Sequence, residues 1–356
     1  MKPPRIGAID CDIHPALPGL SSLIPYLSEH WREMVQQSGL HELESMNYPP
    51  GAPLSARADW RPAQGKAGAS LEQIRSQALD PFGTSLAICN CLYGVQLLFS
   101  EDMAAGLSRA VNSWMAREWL DREERLRASI VVPMQSPELA VKEIEHWAHD
   151  KRFVQVLMLV SGDMPLGRRH FWPIYAAAAR HGLPVGIHAG SSFRYPTTAV
   201  GWTSYYAEDY VNQSQAFQTT LTSLICEGVF SKYPELKVVL IESGFTWLPS
   251  HLWHLGKFWR GLRMEVPWVD RPPIEIVRDQ VRLTLQPADA PPDANKFERL
   301  IEHMQSDKLL LFSTDYPHWQ FDGDEALPDG LPETMIRKIL VDNPRETYPR
   351  LMELVP

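Results

Sequence analysis

Residues 8–15 read Ala-Ile-Asp-Cys-Asp-Ile-His-Pro (AIDCDIHP), so Asp10, Asp12 and His14 occupy every second position of an otherwise apolar run. In an extended strand alternate side chains share a face. The spacing therefore sets two carboxylates and an imidazole on one side and Ile9, Cys11 and Ile13 on the other. Burying two carboxylates is costly unless a cation or several hydrogen bonds compensate, and a divalent metal ion is the simplest compensator. Two more strand-end residues complete a ligand set: His188 ends the run PVGIHAG, and Asp315 ends LLLFSTDYPH. Asp12, His14, His188 and Asp315 offer two imidazoles and two carboxylates, which suit Zn²⁺ or Mn²⁺ and offset its double charge. Asp10, one step deeper, is assigned to a buried hydrogen-bond network.

The elements that must position these residues are legible as short apolar runs at 6–13, 85–90, 128–133, 153–160, 184–188, 237–242, 281–285 and 309–314. Between them, apolar residues recur at three-and-four spacing over 104–122, 137–149, 171–182, 213–227 and 293–304, the helical period. Strands alternating with helices imply right-handed βαβ units and a parallel sheet. An open doubly wound sheet shares that local pattern, but eight units point to a closed (β/α)₈ barrel of the α/β class, one domain over 1–356, with active-site residues at the C-terminal strand ends. The Pro-, Gly- and Ala-rich segment 40–80 interrupts the first βα unit and is expected to be a loop or lid over that face.

The four motifs IDCDIHP, GIHAG, LKVVLIESGFTWLP and LLFSTDYPH resemble the amidohydrolase superfamily, within it the branch of aminocarboxymuconate-semialdehyde decarboxylase and related aromatic-acid decarboxylases and hydrolases. The resemblance implies a (β/α)₈ barrel with one metal ion at its mouth. Asp12 and His14 match the family's first-strand His-x-His, a carboxylate replacing the first imidazole as in some decarboxylases of the branch. His188 matches the strand-5 histidine, and Asp315 the strand-8 aspartate that touches the metal and its bound water. No lysine follows VQVLMLVSGD at a position fit for carbamylation, which favours one metal over two. Many members carry a histidine in a His-x-Gly context on strand 6, where this chain has Glu242-Ser243-Gly244. Glu242 is read as an acid/base group or a structural carboxylate. The resemblance also suggests a homodimer.

A bound metal lowers the pKa of its water from about 15.7 towards 7. Hydrolysis of an amide, ester or lactone in a small cyclic or aromatic compound is the first reading. Asp315 then orients that water and accepts its proton, while Glu242 or His318 protonates the leaving group. Non-oxidative decarboxylation of an aromatic or unsaturated acid is the alternative, the metal binding the substrate carboxylate while an acid protonates the ring carbon. A non-catalytic barrel with a structural metal is the third reading, disfavoured by a ligand set without cysteine. Zn²⁺ is the first choice of ion and Mn²⁺ the second. Arg194 and Tyr195, just after His188, and Gln286, ending the seventh strand, are candidate substrate contacts.

Bulk properties remove other classes. A formal charge of −9 without a Lys/Arg-rich stripe argues against nucleic acid. No run of about 18 apolar residues suggests a membrane span, and the start MKPPRIGAIDCD lacks a signal-peptide core, so a cytoplasmic enzyme for a small molecule is expected. The four scattered cysteines read as small core residues.

Overall fold

The computed structural model describes residues 7–43, 55–190, 195–323 and 326–353. Eight strands, β1 (Ile9–Ile13), β2 (Leu86–Cys89), β3 (Leu126–Val131), β4 (Phe153–Leu159), β5 (Val185–His188), β6 (Val238–Ile241), β7 (Val281–Thr284) and β8 (Leu310–Leu311), pair in parallel in chain order. The seam between first and last is stitched by backbone bonds. Cys11 N–H donates to Phe312 C=O (2.9 Å), His14 N–H to Tyr316 C=O (2.7 Å) and Asp315 N–H to Asp12 C=O (3.1 Å). The expected (β/α)₈ barrel is the observed one.

Its longer helices are α1 (Glu29–Ser38), α2 (Glu101–Trp114), α3 (Pro137–Trp147), α4 (Trp172–Arg180), α5 (Tyr206–Cys226), α6 (Leu248–Leu262), α7 (Pro273–Gln280) and α8 (Ala294–Met304). In α8, Phe297, Ile301 and Met304 bury one face, and the Asp293 carboxylate caps the start by accepting from Asn295 N–H (3.0 Å) and Lys296 N–H (3.2 Å). None of the described helices is long and apolar enough to cross a membrane.

The core has two parts. The large one lies between sheet and helices. The small one gathers Ile9, Cys11, Ile88, Val239, Ile241 and Leu311 with Tyr348 and Leu351. Strands that are not neighbours, such as β1 and β6, meet only across a barrel's interior, so this cluster fills the inside. Arg350 donates to the carbonyls of Phe153 (2.8 Å) and His181 (3.0 Å), which fixes the C-terminal turns Asn343–Thr347 and Arg350–Glu353 beneath the N-terminal strand ends as the floor.

One expectation needs correction. β1 does not alternate cleanly: its register with β2 slips between Asp10 and Ile13, and Ile9 and Cys11 join the interior cluster while Ile13 joins the outer core. Asp10 is a network residue, its carboxylate accepting from Thr314 N–H (3.0 Å), Thr314 O–H (2.6 Å) and Asp12 N–H (3.2 Å).

Within segment 40–80, residues 44–54 lie outside the described part. Residues 55–80 form a turn at Ala58–Trp60, a capped turn at Leu71–Ile74 and a wide turn at Arg75–Leu79. Ala56 bridges His318, and Trp319 N–H donates to Ser55 C=O (3.0 Å), so this stretch is laced to the loop after β8. Gly68 presses so close to β1 that a Cβ would stand 2.8 Å from the His14 carbonyl oxygen, and its φ of +73° suits glycine alone. Trp60 anchors the stretch, stacked on Phe321 (centroids 5.7 Å) and tilted over Tyr316 (4.8 Å). Trp60→Ala is expected to cost about 3–5 kcal/mol in urea unfolding, the range for a buried aromatic. A loss under about 1 kcal/mol would show that the stretch is not held by this contact.

Candidate metal centre

The predicted ligands arrive at the barrel mouth from different strand ends: Asp12 and His14 from β1, His188 from β5 and Asp315 from the loop after β8. His14 Nδ1 donates to the Asn90 carbonyl (2.9 Å), and His188 Nδ1 to the Ala189 carbonyl (2.5 Å). A carbonyl only accepts, so in each neutral ring the proton sits on Nδ1 and the lone pair on Nε2. Those lone pairs face acceptors. His14 Nε2 lies 3.0 Å from Asp315 Oδ1 and 3.3 Å from Asp12 Oδ1, and His188 Nε2 lies 3.7 Å from Asp12 Oδ2 and 3.6 Å from Glu242 Oε2.

Lone pairs against carboxylates repel unless positive charge lies between them. Asp12 Oδ2, Asp315 Oδ2 and His188 Nε2 are all buried, with no hydrogen-bond partner among the described residues. Such orphaned atoms are costly in a protein interior. The donor atoms of Asp12, His14 and His188 stand within 4.8 Å of one another, close to the spread of ligands about 2.1 Å from a shared ion. These residues fit a divalent metal.

The titration of the cluster has the same sense. Burial would lower the His14 imidazolium, yet Asp12 and Asp315 beside it raise its pKa well above the usual value. Burial would raise Asp12, but His14 and His188 hold its carboxyl far below the ordinary range. Asp315 is likewise lowered against burial, by His318 and His14. Glu242 goes the other way: burial, then the Asp315 charge, push it well above. Glu242 and Asp315 also share a left-handed backbone, φ 58° and 55°, a strain of about 1–3 kcal/mol each that clusters at functional sites.

The remaining predicted residues divide. His318 joins the cluster, its Nδ1 2.6 Å from Asp315 Oδ1 and its ring tilted over His14 at 4.8 Å. Gln286 is buried, but its amide accepts from Ala288 N–H (3.1 Å) and donates to Ala326 C=O (3.5 Å), so it serves the β7 loop rather than presenting a free amide. Tyr195 is half-buried in the loop after β5, and Arg194 lies outside the described residues.

Three residues escaped the sequence reading. Asn90 donates its side-chain N–H to Asp12 Oδ1 (2.8 Å) while its carbonyl holds His14, so one residue orients two candidate ligands. Tyr206 and Tyr210 open α5, and the Tyr206 hydroxyl donates to that of Tyr210 (3.1 Å). Burial foremost, with the Glu242 charge behind it, raises both phenols, and the Tyr210 ring stands 6.4 Å from that of Trp319, in the loop after β8. Their i, i+4 spacing in YYAEDY was the available signal.

Several known proteins that this chain resembles are decarboxylases by name. The chain is 24% identical over 193 residues to gamma-resorcylate decarboxylase of Polaromonas sp. (strain JS666 / ATCC BAA-500), a match covering 52% of this chain and 59% of that protein. The chain thus spans about three fifths of that relative's length. The solved 5-carboxyvanillate decarboxylase of Sphingomonas paucimobilis superposes with a TM-score of 0.70 at 19% identity, over 97% of this chain and 99% of that one. Dihydroxybenzoic acid decarboxylase of Polaromonas sp. JS666, with bound manganese and 2-nitroresorcinol, gives 0.65 at 18% identity over 96% of each chain. The sequence model of one family, amidohydrolase, matches residues 9–350, from β1 to the floor, and the chain belongs to that family.

Proposed function

We propose that this protein is a metal-dependent, non-oxidative decarboxylase of hydroxylated aromatic carboxylic acids. This reverses the order in which the residues alone ranked hydrolysis and decarboxylation. What carries the reading is that the named relatives, gamma-resorcylate, dihydroxybenzoic acid and 5-carboxyvanillate decarboxylases, release CO₂ from such acids. The orphaned donor atoms of Asp12, His188 and Asp315 supply the physical counterpart, a mouth built to gather positive charge. We assign Mn²⁺ rather than the Zn²⁺ first expected, because the dihydroxybenzoic acid decarboxylase that this chain resembles holds manganese and a mixed imidazole and carboxylate set suits that ion.

Asp12, His14, His188 and Asp315 would hold the ion, which supplies positive charge for the substrate's anionic oxygens. Glu242 has the other task. Before the C–C bond breaks, the ring carbon bearing the carboxylate needs a proton. Glu242, whose carboxyl burial and the Asp315 charge push towards the neutral acid, provides it. The C–C bond pair then returns to the ring, CO₂ departs, and Glu242 is left as carboxylate to be reprotonated from the mouth. Tyr206, Tyr210 and the half-exposed Trp319 (54%) form an aromatic rim that suits a planar ring.

The test is CO₂ release from gamma-resorcylate and 5-carboxyvanillate by Mn²⁺-loaded protein, beside ring opening of lactones and amine release from amides. Decarboxylation of either acid without hydrolysis is expected. Hydrolysis with no CO₂ release would restore the first reading.

A further inference from the structure

Beneath the proposed metal ligands, a run of buried polar side chains crosses the barrel interior to its floor. The Tyr348 hydroxyl donates to Gln155 Oε1 (3.2 Å), and Gln155 Nε2 donates to Asn90 Oδ1 (3.0 Å) and Ser129 Oγ (2.7 Å). Ser129 O–H donates to Asn90 Oδ1 (2.5 Å), and Asn90 Nδ2 donates to Asp12 Oδ1 (2.8 Å). All five are buried, at most 2% exposed.

Every bond in this run points the same way, donors towards Asp12. An ionised carboxylate only accepts, so Asn90 must show it an N–H; its Oδ1 is then left to two donors, which requires Gln155 to turn its amide nitrogen inward. That orientation aims Gln155 Oε1 at the floor, where the Tyr348 hydroxyl meets it. Gly186 makes room: a Cβ there would stand 2.7 Å from Gln155 Oε1. Hydrogen bonds aligned in one sense polarise one another. The consequence at the mouth is a division of labour on Asp12, with Oδ1 held by Asn90 and Oδ2 left for a cation.

We propose that Tyr348, at the opposite end of the barrel from the reaction, is a positioning residue for the metal site, acting through Gln155 and Asn90 on Asp12. Without its hydroxyl, Gln155 Oε1 is a buried carbonyl with no donor. Turning the amide to relieve it sets Oε1 against Asn90 Oδ1 and loosens the hold on Asp12. The proposal rests on the reading of Asp12 as a metal ligand.

The experiment is a titration of the metal-free protein with Mn²⁺, free ion read by electron paramagnetic resonance, together with thermal unfolding of each metal-free variant. Tyr348→Phe keeps the ring and its packing, and it is expected to weaken Mn²⁺ binding by about tenfold, as loss of an outer partner of a ligand does. Gln155→Leu should weaken it at least as much, and the double variant no more than Gln155→Leu alone, because both cut one chain. Leu351→Ala disturbs the same floor but removes no side-chain hydrogen bond of the chain, and should unfold earlier with Mn²⁺ affinity unchanged. Unchanged affinity in Tyr348→Phe, additive losses in the double variant, or an equal loss in Leu351→Ala would each overturn the proposal. Should Tyr348→Phe not fold, Ser129→Ala reads the same chain, and unchanged affinity there overturns it. If the parent protein takes up no Mn²⁺, the metal reading falls and this inference with it, whereas uptake by the parent and equal uptake by the variants defeats this inference alone.

Discussion

Glu242→Gln is expected to lower CO₂ release by about 10²- to 10⁴-fold, the contribution typical of a positioned general acid, while the protein keeps its Mn²⁺. The amide matches the acid in size and preserves the contact with Gln320, whose Nε2 lies 3.5 Å from Glu242 Oε1. It differs in having no proton to give to a ring carbon. Metal content by plasma mass spectrometry separates the two tasks a carboxylate could have here. Loss of both metal and activity would make Glu242 a ligand, since its Oε2 already stands 3.6 Å from His188 Nε2. Full activity in the variant would move the acid elsewhere, His318 being the neighbour of Asp315 to test next.

His188→Ala should weaken Mn²⁺ binding by more than about a hundredfold, beyond what loss of an outer partner alone causes. The same measurement on Asp315→Ala and Asp12→Ala should agree in direction. His188 is completely buried, its Nδ1 is tied to Ala189, and its Nε2 faces the carboxylates of Asp12 and Glu242. Removing the ring leaves Asp12 and Glu242 facing each other without their intervening nitrogen donor. Metal retained at parental affinity in His188→Ala would sink the proposed ligand set.

Asp12, His14, His188 and Asp315 were legible because a polar residue closing an apolar strand is conspicuous, and a parallel barrel brings all such ends to one mouth. The eight strands were legible for the same reason, as apolar runs between helical periods. Other features depend on neighbours far along the chain. The slip in β1 between Asp10 and Ile13, which parts Ile13 from Ile9 and Cys11, shows only in its pairing with β2. Asn90, Ser129 and Gln155 read as ordinary strand residues until the barrel closes and makes them one hydrogen-bonded layer. Tyr348 lies between two short C-terminal turns with no periodic pattern, and only packing reveals it as part of the floor. Gln286 shows what a strand-end amide does not reveal on paper, that its own loop engages it.

The seam between β1 and β8 has a consequence for how the molecule is made. Cys11 pairs with Phe312 and Asp12 with Asp315, so the first strand of the barrel finds its second neighbour only after roughly three hundred residues have followed it. During synthesis, at about 5–20 residues per second, β1 emerges early and waits on the order of fifteen seconds or more with one edge unpaired. Asp12 and His14 are exposed for all of that time, and Asp315 is the last of the four candidate ligands to appear. On the proposed ligand set, loading with metal would be a late event, coupled to closure of the sheet, and a chain that stalls before residue 315 would hold half-built ligands and an open edge prone to pair with another chain.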